Sequence, residues 1–157
     1  MFARLATIFT TLVLLGAALV GAAPTDMHMH YARQIGNLQC NLDRLKIVGD
    51  IFAASQTTKT LTKQLSADAN GSSLISTVND GLNQASSGIG EIAVALFTGQ
   101  KAPAASRDQV ESGLNSAFTA VNSITSENAA VTNNVNKLKT QLQAAGSAGD
   151  GVLANCK

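Results

Sequence analysis

The stretch ISTVNDGLNQASSGIGEIAVAL, residues 75–96, decides the fold. Ile75, Val78, Leu82, Ala85, Ile89, Ile92 and Leu96 step by three and four residues, the period of a helix with one packed side rather than the alternation of a strand. Beside that stripe Gly81, Gly88 and Ala95 recur at heptad spacing and leave room for a second helix to approach closely. Each glycine costs about 1 kcal/mol of helix propensity, so packing must hold this helix. Ser72 or Ser73 is the expected cap at its start and Gly99 its stop.

Three more helical patterns surround it. A first helix is expected from about residue 37 to 65, with Leu38, Leu42, Leu45, Val48 and Phe52 on one face, followed by Leu61 and Leu65. Threonines between Gln56 and Thr60 lose side-chain freedom in a helix and mark a place to bend. Past Pro103, Ser106 and Gln109 form a capping box, and Asp108 suits a helix start. The third stripe is Val110, Leu114, Ala117, Val121 and Ile124; the fourth is Val131, Val135, Leu138, Leu142 and Ala145, ending at Gly146. No alternating segment competes with these stripes. The expected fold is all-α, an antiparallel up-down-up-down four-helix bundle joined by short connections. The first helix would exceed the fourth by roughly 15 Å at ~1.5 Å per residue. That mismatch predicts either a projecting hairpin of helices one and two or a bend near Gln56 to Thr60.

Ahead of the helices, Arg4, the apolar run from Leu5 to Val20 and the small residues Gly21-Ala22-Ala23 have the layout of a secretory signal peptide. Cleavage is expected after Ala22 or Ala23, leaving a flexible arm over 24–36 and a helical bundle domain over 37–157. The apolar run is short against the ~20 residues that span a bilayer, and Leu153 to Lys157 resembles neither a lipid-anchor signal nor a retention tetrapeptide. The mature chain is expected to be secreted and extracellular, with no transmembrane anchor. Its composition agrees with a polar, weakly charged surface: charged residues make up 13% and aromatics 4%, against an ordinary charged share of about 25%. Removing Arg4 from eleven Lys and Arg leaves ten, balancing ten Asp and Glu. Nucleic-acid binding, which needs clustered cations, is not expected.

Two cysteines in a secreted chain usually pair. Cys40 and Cys156 would share one end of an up-down-up-down bundle, tethering the tail from Ser147 to Lys157; the alternative is two free buried thiols. Asn70-Gly71-Ser72 is the one N-glycosylation sequon and falls between helices one and two. The two histidines, His28 and His30, stand in the arm, where nothing fixes them as catalytic groups. With Met27 and Met29 they make a copper-type donor set, read against a plain arm. The carboxylates from Asp43 to Glu127 are spread singly and read as solvated surface groups. No catalytic residue, resident metal or cofactor is therefore expected.

Cys40-Asn41-Leu42-Asp43-Arg44-Leu45-Lys46-Ile47-Val48, Leu96-Phe97-Thr98-Gly99-Gln100, and Ala102-Pro103 running into Arg107-Asp108-Gln109-Val110 resemble small secreted proteins of basidiomycete fungi. More distantly, the leader followed by Ala-, Ser- and Leu-rich helices is similar to the fungal hydrophobic surface-binding and cell-wall galactomannoprotein family. The resemblance implies a helical protein that adheres to hydrophobic surfaces or holds lipids between helices. The chain departs from that family in its cysteine pair and in lacking a Ser/Thr-rich stalk. The expected function is a secreted non-catalytic binding protein for fatty acids, other apolar ligands or hydrophobic surfaces. The alternative is an effector or cell-wall-associated protein that recognises another macromolecule. Ile92 to Phe97 is apolar around nearly the whole helix. Phe52, Ile92, Leu96, Phe97 and Phe118 are the candidate ligand-binding residues around an opening between helices, with Val94 and Phe97 packing under the Gly99 to Ala105 loop as the competing expectation.

Overall fold

The computed structural model describes residues 38–156. The expected signal peptide, the arm with His28 and His30, and Lys157 lie outside them. Four helices account for almost all of the described chain: α1 (Leu38–Gln64), α2 (Ala69–Phe97), α3 (Ala104–Asn122) and α4 (Ala129–Asn155). No strand occurs among the described residues. Helix α2 packs most closely on α3, and α1 on α4; the two pairs meet along a shared core.

The close approach of α2 to α3 follows from the glycines. A Cβ on Gly81 would stand 2.5 Å from the carbonyl oxygen of Gly113, and one on Gly113 would stand 2.5 Å from that of Gly81. Farther along, Gly88 faces the Ser106 carbonyl and Val110. Contacts thus advance along α2 while they retreat along α3. The α1 and α4 pairs behave likewise: Gln64 meets Asn134, Ile47 meets Gly149 and Cys40 meets Cys156. Between the pairs, Leu61, Ile75, Leu82 and Leu138 are the largest side chains wholly removed from water.

Several local expectations are corrected. Helix α2 begins before Ser72: Asp68 is its cap, accepting the Asn70 N–H at 3.1 Å, so the sequon sits in the first helical turn and not in a connection. Its stop is as expected in kind, since Gly99 takes φ 75° and Gln100 N–H returns to the Ala95 carbonyl. Helix α3 starts at Ala104, behind Pro103. Ser106 caps nothing there; it is buried and donates to Glu91 Oε2 at 2.7 Å. Asn128 caps α4 by accepting the Ala130 N–H at 2.9 Å.

Helix α4 runs through Gly146, Gly149 and Gly151 to Asn155, so it has 27 residues, the same as α1. The short helix is α3, with 19. The length mismatch expected between helices one and four is therefore absent. Helix α1 is assigned unbroken across Gln56 to Thr60, where Thr57 and Thr60 donate to carbonyls four residues back. Gly151 lets the last turn of α4 press on α1: a Cβ there would lie 2.8 Å from the Asp43 carboxyl group. Residues 147–155 are thus the last turns of α4 itself, where a disulfide-tethered tail beyond the helix was expected.

The two kinds of glycine make a paired prediction. Gly113→Ala forces a methyl group against the α2 backbone, and overpacking of about 1–3 kcal/mol outweighs the ~1 kcal/mol gained in helix propensity. Exposed Gly90 has nothing within 4 Å of a built Cβ, so Gly90→Ala is expected to stabilise by up to about 1 kcal/mol. Urea unfolding midpoints should move in opposite directions for the two variants.

Candidate functional site

Helix α1 has two apolar faces. The inner face runs Cys40, Ile47, Ile51, Ala54, Leu61 and, just past the helix, Leu65, each less than a tenth exposed. Leu38, Leu42, Leu45, Val48 and Phe52, expected on one face that continues to Leu61 and Leu65, lie on the opposite side and are exposed at 74, 42, 70, 49 and 65%. The physical reason is phase. Phe52 and Leu61 are nine residues apart, about two and a half turns at 3.6 residues per turn, so a stripe containing Phe52 cannot continue into Leu61. Ile47, Ile51 and Ala54 do continue into Leu61 and Leu65, and they take the core.

The outer stripe is about 21 Å long at 1.5 Å per residue. Exposed Gly49 in its middle has nothing within 4 Å of a built Cβ. Five large apolar side chains exposed along one helix face form the kind of patch that is often functional on a soluble protein. Its flanking cations are engaged: Arg44 Nη1 donates to Asn41 Oδ1 at 3.4 Å, and Lys46 Nζ stands 3.6 Å from Asp43 Oδ1.

The other candidate residues do not converge with Phe52. Phe118 and Ile92 are half-buried and pack against the core, and Leu96 is half-buried at the end of α2. Phe97 is 92% exposed and Val94 66%, so neither packs under the connection to α3. Phe97 stands two residues, or about 200°, round the helix from buried Ala95, which turns it to solvent. A groove of about 520 Å³ is lined by Leu74, Thr77, Ser112, Asn115, Ser116 and Thr119 among others. A second, of about 270 Å³, is lined by Gln56, Thr57, Thr60, Asn134, Lys137 and Gln141 among others. Neither is lined by any of the five candidates, and both are open to solvent.

Cys40 and Cys156 form a disulfide across 116 positions, with Cα atoms 5.0 Å apart. Beneath it Asp43 is 4% exposed, correcting its reading as a solvated carboxylate. Asn155 Nδ2 donates to Oδ2 at 2.9 Å and Gln39 Nε2 to Oδ1 at 2.9 Å. The Asn155 hydrogen bond does most to hold the Asp43 carboxyl below its ordinary value, against the opposing effect of burial; Gln39 and Lys46 act with Asn155. This cluster locks the end of α4 onto the start of α1 and so sets the face that α1 turns outward. The sequence signal for it was the spacing of Cys40, Asp43 and Ile47, which share one helical side. Asn70 is exposed, far along the chain from this cluster.

The chain matches no family model, no curated protein and no solved structure.

A lowered value in the folded state means that Asp43 stabilises the fold above the unfolded value, near 3.8, and that this contribution is lost as pH falls through the lower folded value. Asp43→Ala should therefore lower the melting temperature at neutral pH. The gap from wild type should narrow as the pH is taken below 3.8. A gap that stays constant through acid would show that the charge of Asp43 does not hold the latch.

Proposed function

We propose that this chain is a secreted, non-catalytic binding protein that attaches to lipids or hydrophobic surfaces through the outer face of α1. The observation that carries the reading is the stripe of Leu38, Leu42, Leu45, Val48 and Phe52, which the fold leaves in water although other apolar residues of the same helix fill the core. Attachment by an exposed face replaces the opening between helices expected from Phe52, Ile92, Leu96, Phe97 and Phe118, since neither groove is lined by any of these five. No helix among the described residues is long and apolar enough to cross a membrane, which suits a protein that lies on an apolar boundary.

The wider reading joins this face to the signal peptide over 1–23, to release from the cell and to an up-down-up-down bundle, for which the opposed order of contacts between paired helices argues. The resemblance to fungal small secreted proteins and to the hydrophobic surface-binding family points the same way. A second reading has the same stripe as its support: steps of three and four residues also seat the helix of a macromolecular partner.

Adsorption of the delipidated protein to hydrophobic beads tests the proposal. Burial of a leucine or phenylalanine side chain contributes about 1.5–3 kcal/mol, so Leu45→Asp with Phe52→Asp should lower bead partitioning by on the order of a hundred-fold. Both positions face solvent, and the helical circular dichroism should be unchanged. Wild-type protein that adsorbs no better than an ordinary soluble bundle would overturn the proposal in favour of macromolecular recognition.

A further inference from the structure

The outer face of α1 changes character along its length. Lys63 lies eighteen residues beyond Leu45, about five full turns, and Lys59 lies seven beyond Phe52, about two turns. Both are exposed. The line that is apolar from Leu38 to Phe52 therefore becomes cationic at Lys59 and Lys63. Unlike Lys46, these two lysines meet no carboxylate within ion-pair distance among the described residues.

Charge is also divided between the helix pairs. Helices α1 and α4 carry Arg44, Lys46, Lys59, Lys63, Lys137 and Lys139 against Asp43, Asp50 and Asp150. From the start of α2 to the end of α3 the order reverses, with Lys101 and Arg107 against Asp80, Glu91, Asp108 and Glu111. A chain that is almost neutral as a whole thus has its positive surplus on the pair that bears the apolar stripe. Such a charge distribution orients the molecule at an anionic surface without making it a general polycation.

We infer that the outer face of α1 docks on anionic phospholipid membranes, with Leu38 to Phe52 among the upper acyl chains and Lys59 and Lys63 against headgroup phosphates. This rests on the proposed attachment to lipids and names the lipid class. A lysine stem lies along apolar material while its ammonium group stays at the polar boundary, so one continuous helix can serve both layers. A second copy of the chain is a poorer occupant of the same face. Two outer faces brought together would oppose Arg44, Lys46, Lys59 and Lys63 of each copy, with half-buried Asp50 to offset them, because Asp43 is already engaged beneath the disulfide.

The test is flotation of the purified, disulfide-intact protein with phosphatidylcholine vesicles and with mixed phosphatidylcholine and phosphatidylserine vesicles, alongside the bead assay. Wild type should favour the mixed vesicles, and raised salt should erase the preference. Loss of one lysine near an anionic surface weakens binding roughly five-fold, so Lys59→Gln with Lys63→Gln should bind the mixed vesicles about thirty-fold less tightly. Adsorption to beads should not change. Equal binding to both vesicles, or an unaffected double variant, overturns the inference while bead adsorption leaves the broader proposal standing. Loss of wild-type binding to beads and vesicles alike overturns both. A concentration-dependent dimer that is abolished by Leu45→Asp and binds no vesicles overturns the lipid assignment in favour of a second copy.

Discussion

The rotation of α1 about its own axis is the constraint on which the rest of the structure depends, and the bond between Cys40 and Cys156 holds it. Once Cys40 must face α4, helical periodicity carries Asp43, Ile47, Ile51 and Ala54 inward with it. The same rotation carries Leu42, Leu45 and Phe52 outward. Closing a loop of this length contributes on the order of 4 to 5 kcal/mol in the chain-entropy model by restricting the unfolded chain, and the bond can close only with Cys40 turned toward Cys156. The arrangement has a cost, since a carboxylate is drawn in with the cysteine. Gln39, Asn155 and Lys46 satisfy it, and Gly151 leaves the space that it occupies.

The second helix pair is held differently. Where α1 and α4 are joined covalently at one end, α2 and α3 touch backbone to backbone at Gly81 and Gly113. Contact that close maximises dispersion between main chains and leaves little side-chain area to cover. Their outer sides can therefore be polar, as Asn79, Asp80, Asn83, Gln84, Asn115 and Ser116 are. The apolar surplus of the fold falls on α1, on the last turn of α2, where Val94 and Phe97 are exposed, and on Leu153 near the end of α4. Polar and apolar surfaces are thus unequally shared because the two pairs solve the packing problem by different means.

That difference also explains which parts of the molecule the sequence disclosed. Each of α2, α3 and α4 has one apolar stripe, and Val78, Leu82, Val110, Leu114, Val121, Val135, Leu138 and Leu142 are buried where the period places them. Helix α1 has two stripes about half a turn apart, and side-chain size favours the wrong one. The nine-residue step from Phe52 to Leu61 was the available clue, because it breaks the period that Ile47, Ile51 and Ala54 keep. The end of α4 misled for another reason. Glycine after a periodic run ordinarily stops a helix, but α4 continues through Gly146 to Gly151, where close packing of Gly151 on Asp43 and the cystine one residue past the helix hold its end to α1. At the starts of α2 and α3, Asp68 and Pro103 lie nearer the preceding connection than Ser72 and Ser106 and take the cap positions first. The candidate site was legible in composition but not in place: Phe52 belongs to an exposed face, while Phe118 and Ile92 serve the core.

The aromatic residues give the strongest argument that the outer face serves something beyond folding. Of five phenylalanines in the chain, Phe52, Phe97 and Phe118 lie among the described residues, and none is fully buried. The core is closed by leucine, isoleucine, valine and alanine, so its packing makes no demand for Phe52 or Phe97. An exposed aromatic side chain contributes little to a fold but offers a large area, 150–250 Å² as an order of magnitude, to whatever later covers it. Because Leu45 and Phe52 stand opposite the face held by the disulfide and Asp43, they can be changed without disturbing the packing beneath. Under the proposed function, stability and attachment are separated onto the two sides of one helix, and a loss of attachment on changing the outer side can be read directly as loss of a contact made outside the fold.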